Sequence, residues 1–319
     1  MSAHLPDFDD VLSAAARIAP YATVTPVLRS RALDAATHAE LHFKAEHLQR
    51  VGAFKFRGAC NAVWALRGEQ AHAGVVTHSS GNHGAALALA AQTRGIACHV
   101  VVPRGAVAAK VASIARYGAV LHECAANISA REEKCASVQR ETGAVLVHPY
   151  TDERVIAGQG TAALELFNSA GMLDVLVVPV GGGGLASGSA LAAQALAPDC
   201  QLLLAEPEGA ADTARSLAAG ERQVDFIPDT ICDGLRGSLG QPNFELLRAS
   251  GAEVITVDDR STLEAMRLLW QTTKQLVEPS SAIALAAVLL QPQRFAGRRV
   301  GIVLSGGNVD LDALPWLRA

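Results

Sequence analysis

The strand–turn–helix pattern of residues 175–196, VLVVPVGGGGLASGSALAAQAL, indicates the fold class. Its first six residues form a continuous apolar run, which is typical of a strand buried on both faces of a parallel sheet. Four consecutive glycines follow, and the alanine-rich stretch after them predicts a helix over residues 185–196. A buried strand that passes through a glycine turn into a helix is typical of α/β proteins.

The same alternation recurs along most of the chain. Short apolar runs predict further strands at residues 75–78, 98–102, 119–121, 145–148, 202–205, 254–257 and 300–304. The stretches between them predict helices, including one over residues 83–94. We therefore expect an α/β fold with mainly parallel sheets flanked by helices.

Composition excludes several classes of protein. Of 319 residues, 50% are hydrophobic and 18% are charged, which is too apolar for a disordered chain. The formal net charge is −4 and no cationic block is present, so nucleic acid is not an expected partner. No apolar stretch reaches the roughly 20 residues of a membrane helix. An acidic N-terminus without a signal pattern, and six cysteines without a CxxC pair, predict a cytoplasmic protein.

Three unusual turns follow predicted strands, at the sheet edge where α/β proteins bind ligands. They are SSGNH at residues 79–83, GGGG at residues 181–184 and SGGN at residues 305–308. For one such turn alone, the better explanation is that its glycines make a tight turn of the backbone. Three at equivalent positions predict a single ligand site built from three loops.

The segment GAFKFRGA at residues 52–59 places Lys55 between two phenylalanines. Desolvation can lower the pKa of an amine in such a setting, and a neutral amine can form a Schiff base with an aldehyde. A lone lysine in this setting is usually a surface residue whose charged end reaches water. The four glycines, however, can direct backbone N–H groups at a phosphate. A lysine, a phosphate cup and a serine-rich third loop together suggest pyridoxal 5′-phosphate as cofactor.

Seven segments resemble the tryptophan-synthase-β-like, fold-type II family of pyridoxal phosphate enzymes. In chain order they are GAFKFRGA, SSGNHG, VIAGQGT, VPVGGGGL, AEP, VEPSSA and LSGGN. The segments look like those of the group of threonine dehydratases, serine racemases and 3-hydroxyaspartate ammonia-lyases. The resemblance implies a large cofactor-binding domain from residues 1–73 and 151–319, and a small inserted domain from residues 74–150. It also leads us to expect no C-terminal regulatory domain.

The resemblance implies a role for each matching residue at the cofactor. Lys55 should hold the cofactor through a Schiff base and move the α-proton of the substrate. Ser305 should face the pyridine nitrogen, where a hydroxyl leaves the ring neutral and suits elimination better than transamination. The remaining cofactor contacts should come from Phe54, Asn82, Gly181, Gly182, Gly183, Gly184 and Leu185.

The first turn should bind the substrate α-carboxylate at a helix N-terminus. Its members are Ser79, Ser80, Gly81, Asn82 and His83. Ser80 matches the serine that racemases use as the acid/base opposite the lysine, and lyases of the group carry it as well. Ser80 therefore permits racemisation without proving it. For His83 we favour a role in shaping the loop over proton transfer.

Two residues are candidates for recognising a second carboxylate on the substrate. Arg131 aligns with a racemase arginine, and a guanidinium pairs well with a carboxylate. An equally good interpretation is a solvated helix arginine beside Glu132 and Glu133. Ser238, in GLRGSLG, is the weaker candidate. An inward Arg131 would favour 3-hydroxyaspartate as substrate.

A divalent cation is the second cofactor that the resemblance implies. Glu206, Ala210 and Asp212 match the pattern of the racemase group for such a site. Two carboxylates with a backbone carbonyl form a hard oxygen site suited to Mg²⁺, Mn²⁺ or Ca²⁺. The alternative is a pair of solvated loop acids.

Together these implications favour a dehydratase, or ammonia-lyase, that acts on a small L-β-hydroxy amino acid. The candidate substrates are 3-hydroxyaspartate, serine and threonine, each converted to a 2-oxo acid and ammonia. The alternative is a serine or aspartate racemase with side dehydratase activity. A non-catalytic amino-acid binding protein is disfavoured by the intact Lys55, Ser80, Asn82 and Ser305. We expect a homodimer that binds a small amino-acid substrate, and we expect no nucleic-acid partner and no membrane association.

Overall fold

A computed structural model describes residues 5–106, 108–314 and 316. Within these residues the strands form two sheets. The strands of the described chain are β1 (Val27–Leu28), β2 (Glu40–Lys44), β3 (Val75–His78), β4 (Cys98–Pro103), β5 (Val120–Cys124), β6 (Val145–Leu146), β7 (Val175–Pro179), β8 (Gln201–Pro207), β9 (Glu253–Val257) and β10 (Arg299–Val303).

Helices separate most of these strands, as the sequence predicted. The α-helices of the described residues are α1 (Phe8–Ile18), α2 (Arg31–Thr37), α3 (Lys55–Ala65), α4 (Gly68–Ala73), α5 (Asn82–Arg94), α6 (Ala108–Arg116), α7 (Ile128–Thr142), α8 (Glu153–Ala170), α9 (Gly184–Leu196), α10 (Asp212–Ala219), α11 (Gln241–Ser250), α12 (Asp259–Thr273), α13 (Pro279–Leu290) and α14 (Pro292–Phe295). Short 3₁₀ turns lie at Glu46–Leu48, Arg50–Gly52, Glu208–Ala210, Asp233–Leu235 and Leu311–Ala313.

The larger sheet has the strand order β1-β2-β10-β7-β8-β9. All its pairings are parallel except that of β1 with β2. Strand β7 lies inside this sheet and every residue in it is buried. Val175 and Val177 belong to the hydrophobic cluster on one face, and Leu176 and Val178 to the cluster on the other. Because successive side chains of a strand point to opposite faces, a strand covered on both sides must be apolar throughout.

The smaller sheet has the order β5-β4-β3-β6, with all pairings parallel. Its strands all come from residues 75–146, whereas both ends of the described chain contribute to the larger sheet. The α/β fold class with two mainly parallel sheets is confirmed. The domain boundaries at residues 73/74 and 150/151 stay predictions. No helix in the described residues is long and apolar enough to cross a bilayer.

The sequence did not predict β1 and β2. Strand β2 reads ELHFK, with a charged residue at each end and no apolar run. Lys44 is nevertheless fully buried, because its ammonium group donates to Glu165 on α8 at 2.6 Å. The charge is compensated by a residue 121 positions away, so no local pattern could have predicted the burial of this strand.

Candidate active site

Three loops leave the carboxyl ends of parallel strands in the two sheets. Residues 79–81 follow β3, residues 181–183 follow β7, and residues 304–308 follow β10. The side-chain amide of Asn308 donates to Oδ1 of Asn82 at 2.9 Å, which brings the first and third loops into contact. Ligands of α/β proteins bind at such strand ends, so this contact marks the candidate site.

The third loop is also paired with the segment that precedes Lys55. The backbone N–H of Phe54 donates to the carbonyl of Ser305 at 3.0 Å, and that of Gly307 donates to Gly52 at 2.9 Å. Helix α3 begins at Lys55, directly after this pairing. Backbone hydrogen bonds therefore place the lysine beside the third loop.

Lys55 is half-buried, and its Nζ donates to the carbonyl of Pro149 at 2.9 Å. The same nitrogen lies 5.0 Å from the centre of the Phe54 ring. Burial lowers the pKa of the Lys55 ammonium to about 8, although the carboxylate of Glu278 acts in the opposite direction. Near pH 8 much of this amine is therefore neutral, the form that attacks an aldehyde.

The four glycines form a cup of backbone N–H groups at the start of α9. Gly183 has a φ of +93°, which only glycine adopts readily, and a Cβ there would lie 2.7 Å from Cβ of Asn243. The first helical bond runs from the N–H of Ser187 to the carbonyl of Gly183 at 2.8 Å. The N–H groups before Ser187 therefore have no helical partner and point at the helix N-terminus. This arrangement fits a phosphate group.

The lysine, the cup and the third loop match a known set of enzymes. The family model described as pyridoxal-phosphate dependent enzyme matches residues 18–306, a range that includes Lys55, the first two loops and Ser305. The chain belongs to this family. Its fold is accordingly fold-type II, and the family cofactor is pyridoxal phosphate.

Relatives within the family align over nearly the whole chain. The chain is 48% identical to a β-hydroxyaspartate dehydratase of Paracoccus denitrificans, over 98% of this chain and 99% of the relative. It is 50% identical to a serine racemase of Arabidopsis thaliana, over 93% of this chain and 92% of the relative. The solved structure of maize serine racemase superposes with a TM-score of 0.95 at 46% identity, over 99% of this chain and 97% of that one.

The residues present fit the family cofactor. Lys55 offers a partly neutral amine for the aldehyde, and the glycine cup offers unpaired donors for the phosphate. Ser305 is buried, and its hydroxyl makes only a long 3.4 Å bond to the carbonyl of Ser280. It is thus available to a better acceptor such as a ring nitrogen. The individual contacts of Phe54 and Leu185 stay predictions.

Asn82 begins α5 and lies between two partners. Its Nδ2 donates to Oε1 and Oε2 of Glu278 at 3.0 and 3.2 Å, while its Oδ1 accepts from Asn308. Both bonds from this amide nitrogen go to the carboxylate of Glu278, and the contact of Asn82 with a cofactor oxygen stays a prediction. Burial raises the pKa of Glu278, and the bonds from Asn82 oppose that rise.

The turn between β3 and α5 carries the remaining residues of the predicted carboxylate loop. Oγ of Ser79 accepts the backbone N–H of Gly81 at 3.3 Å, and Ser80 is half-buried. His83 is buried, with Nε2 3.2 Å from the carbonyl of Val147. Burial holds the pKa of His83 well below its usual value, so the ring is neutral. This environment favours the loop-shaping role over proton transfer.

Arg131 lies on α7, close enough to the end of β3 for its charge to act there. Its positive charge acts on His78, the residue directly before Ser79, and contributes to lowering the pKa of that histidine after the larger effect of burial. Nε of Arg131 is buried and has no hydrogen-bond partner among the described residues. The neighbouring Glu133 accepts from Ser129 instead, at 2.8 Å. An inward guanidinium with an unused donor is what a substrate carboxylate requires.

Ser238 lies in the loop after the 3₁₀ turn Asp233–Leu235. It is half-buried and within hydrogen-bonding reach of the Tyr150 hydroxyl. Tyr150 in turn follows Pro149, whose carbonyl accepts from Lys55. Ser238 is therefore connected to Lys55 through Tyr150 and Pro149. Its contact with substrate stays a prediction.

Glu206 lies in β8, Ala210 in the 3₁₀ turn that follows it and Asp212 at the start of α10, and all three are buried. Glu206 accepts the backbone N–H groups of Thr213 and Ala214 at 2.7 and 2.8 Å. Burial raises the pKa of Glu206 to about 7 and that of Asp212 to about 6. Oδ1 of Asp212 is buried and has no hydrogen-bond partner in the described chain.

Two buried carboxylates with raised pKa values and a free oxygen suit a cation. Among the residues described, no group of three or more His, Cys, Asp or Glu side chains could hold a metal ion. A cation at this position would therefore need the Ala210 carbonyl or water to complete its shell. The solvated-acid interpretation does not apply, because neither carboxylate is exposed.

Sequence reasoning missed three residues that contact the predicted site. Glu278 accepts a hydrogen bond from Asn82, and Tyr150 packs on the glycine cup. Asn308 joins the first and third loops. Glu278 lies in VEPSSA, and an acid that precedes the apolar helix α13 was an available signal. Asn308 lies in the SGGN turn that the sequence singled out, although no individual role was predicted for it. Tyr150 had no comparable signal, since its partners are distant in sequence.

A buried ion cluster anchors the helix that begins at Lys55. The guanidinium of Arg57 donates to Glu46 at 2.7 and 2.8 Å and to Glu165 at 2.7 Å from each of two nitrogens. Arg57, Lys44 and Glu46 are fully buried. Arg57 therefore ties α3 both to α8 and to the 3₁₀ turn after β2.

Proposed function

We propose that this protein is a pyridoxal-phosphate-dependent ammonia-lyase that dehydrates 3-hydroxyaspartate, with serine and threonine as poorer substrates. The observation that carries the choice of substrate is the inward guanidinium of Arg131, whose buried Nε lacks a protein partner among the described residues. The near full-length likeness to a β-hydroxyaspartate dehydratase supports the same reaction.

Each residue of the site has a defined task in this reaction. Bound pyridoxal phosphate supplies the electron sink that makes the α-proton of an amino acid acidic. The N–H groups and hydroxyls of residues 79–82 orient the α-carboxylate at the N-terminus of α5. Arg131 binds the distal carboxylate, and the Lys55 amine takes the α-proton. The substrate then loses its β-hydroxyl as water, and hydrolysis gives the 2-oxo acid and ammonia.

A serine or aspartate racemase is the second candidate, and Ser80 is the residue that favours it. Inversion at the α-carbon needs a proton carrier in addition to Lys55. Ser80 is half-buried in the loop that also holds Asn82. The likeness to a plant serine racemase supports this activity as a side reaction.

We also propose that Glu206, Ala210 and Asp212 bind Mg²⁺, Mn²⁺ or Ca²⁺. The buried Oδ1 of Asp212 supports the site, because a buried acceptor without a partner destabilises the fold unless a cation or donor satisfies it. The cation would stabilise the fold near β8 and take no part in proton transfer.

Three further features belong to the same proposal. The protein is a cytoplasmic homodimer, and residues 74–150 form a small domain inserted into a large one. The six cysteines are all free and five of them are buried, which is consistent with a reducing compartment. The common origin of β3 to β6 in residues 75–146 supports the inserted domain.

The test is a 2-oxo-acid assay over 3-hydroxyaspartate diastereomers, serine and threonine, with chiral analysis of the remaining amino acid. We expect kcat/KM to be highest for one 3-hydroxyaspartate isomer and racemisation to be slower than elimination. Lys55→Ala should abolish both activities while the protein stays folded. Turnover by Lys55→Ala would refute the assignment of the lysine, and faster racemisation than elimination would favour the second candidate.

A further inference from the structure

Tyr150 packs directly on the glycine cup. A Cβ built on Gly182 would lie 2.4 Å from Cγ of Tyr150 and 2.5 and 2.6 Å from its Cδ atoms. A Cβ on Gly184 would lie 3.1 Å from Cα and Cβ of the same tyrosine, and one on Gly240 would lie 3.4 Å from Cδ2. The aromatic ring therefore occupies the space in which a side chain at position 182 would stand.

The position of Tyr150 is fixed from several directions. Nδ2 of Asn243 donates to the carbonyl of Tyr150 at 2.9 Å and to that of Gly182 at 2.5 Å, so one amide joins the two backbones. The His148 ring makes an edge contact with the tyrosine ring, with centroids 4.5 Å apart. Ser238 lies within hydrogen-bonding reach of the hydroxyl.

A run of four glycines would otherwise have wide conformational freedom. Glycine loses more backbone entropy on ordering than any other residue, so a glycine loop that must present several N–H groups to one anion gains affinity from preorganisation. The ring of Tyr150 has only two side-chain torsions, and it is contacted by the His148 ring and, at its hydroxyl, by Ser238. It supplies a rigid surface against which the Gly182 backbone is packed.

We infer that Tyr150 is a positioning residue that holds the glycine cup in the shape that binds the cofactor phosphate. The inference rests on the proposed role of residues 181–184 in binding that phosphate. The flat face of the ring, and not the hydroxyl, does the positioning, because Cγ and the two Cδ atoms are the tyrosine atoms nearest to the position of a Cβ on Gly182. Tyr150 acts through the backbone of the cup and contributes no atom to the phosphate itself.

The experiment compares the affinity of the cofactor-stripped protein for pyridoxal phosphate and for pyridoxal, which lacks the phosphate. The ratio of the two dissociation constants isolates the contribution of the phosphate site. Tyr150→Leu should reduce the preference for pyridoxal phosphate by about tenfold, the scale of a lost preorganisation effect. Tyr150→Phe, which keeps the ring, should stay within about twofold of the wild type.

A matched control is Tyr21→Leu. Tyr21 stacks on Trp64 with ring centroids 4.1 Å apart, so its loss removes a comparable aromatic contact from another hydrophobic cluster. This variant should leave the ratio unchanged. If Tyr150→Leu does not fold, Tyr150→Met gives a second test, because an unbranched side chain occupies the site without a flat ring and should lower the preference for pyridoxal phosphate in the same way.

The outcomes separate the inference from the function on which it rests. A wild-type protein that binds both ligands equally would refute phosphate binding by the cup. A wild type that prefers pyridoxal phosphate, together with a Tyr150→Leu variant that keeps the full preference, would overturn the role of Tyr150 alone. An equal loss of affinity for both ligands, or a Tyr150→Phe variant as impaired as Tyr150→Leu, would overturn it as well.

Discussion

The side-chain amide of Asn82 donates to both carboxylate oxygens of Glu278, at 3.0 and 3.2 Å. These residues lie 196 positions apart, one at the start of α5 beside the smaller sheet and the other directly before α13. Glu278 is 4% exposed, and its charge also acts on Lys55. One buried carboxylate thus orients the predicted cofactor contact and influences the ionisation of the predicted catalytic amine.

The first prediction concerns the ionisation of Lys55. In the cofactor-free protein, acylation of this amine should show a midpoint near pH 8, because burial lowers its pKa to about 8. Glu278→Gln should move the midpoint to lower pH, since the carboxylate is the group that raises the pKa. Mass spectrometry of acylated peptides measures the midpoint in both proteins. Labelling of the exposed Lys274 corrects for the reactivity of the acylating reagent. An unchanged midpoint in Glu278→Gln would contradict the electrostatic link.

The second prediction concerns Arg131. Arg131→Ala should reduce kcat/KM for 3-hydroxyaspartate by roughly 10- to 150-fold, the effect of losing one charge-assisted bond to a carboxylate. Values for serine and threonine should hardly change, because neither substrate has a second carboxylate. Arg140→Ala, on the exposed side of the same helix, is the control. Equal losses for all substrates would assign Arg131 to the fold instead.

The third prediction separates the two proton carriers. Ser80→Ala should abolish racemisation of serine and leave elimination from the L-isomer largely intact, because elimination requires only the proton transfer by Lys55. Chiral chromatography and the 2-oxo-acid assay on the same sample measure the two reactions. Parallel loss of both activities would mean that Ser80 serves binding of the α-carboxylate.

The fourth prediction concerns the carboxylates near β8. The folded pKa values of about 7 for Glu206 and about 6 for Asp212 lie above the usual 4.5 and 3.8. The folded protein therefore binds protons more tightly than the unfolded chain, so the stability of EDTA-treated protein should fall as pH rises through this window. A cation needs the ionised carboxylates, and its stabilising effect should grow over the same range.

Thermal unfolding at pH 5 and pH 8, with and without Mg²⁺, Mn²⁺ or Ca²⁺, measures this dependence. A cation at 100 times its dissociation constant would add about 2.7 kcal/mol to the free energy of unfolding. Asp212→Asn should remove the response to cation, and Asp225→Asn, at an exposed position, should not. A cation response that is the same at both pH values would argue against these two ligands.

The fifth prediction concerns the ion cluster beneath Lys55. Arg57→Leu should lower the free energy of unfolding by about 3–5 kcal/mol, because Glu46 would remain buried without its main partner. Arg260→Leu removes an exposed pair with Glu264 and should cost less than about 0.5 kcal/mol. Urea denaturation compares the two variants. Similar small losses in both would show that Lys44 alone compensates the buried carboxylates.

The fold class and the cofactor could be predicted because their signals are local. The apolar run of β7, its four glycines and the lysine of GAFKFRGA each lie within about ten residues of sequence. The strand predicted at residues 75–78 matches β3 in full, and its first three residues are buried. The strand predicted at residues 145–148 is shorter in the structure and covers Val145–Leu146.

Other features were decided only when distant segments came together. Burial of Lys44 in β2 depends on Glu165, and the orientation of Asn82 depends on Glu278 and Asn308. The sequence does not distinguish an inward Arg131 from a solvated arginine, because both fit the same helical pattern. Hydrophobic periodicity acts over a few residues and is visible in the sequence. Compensation of buried charges and packing of Tyr150 on Gly182 act between residues that only the tertiary structure brings together.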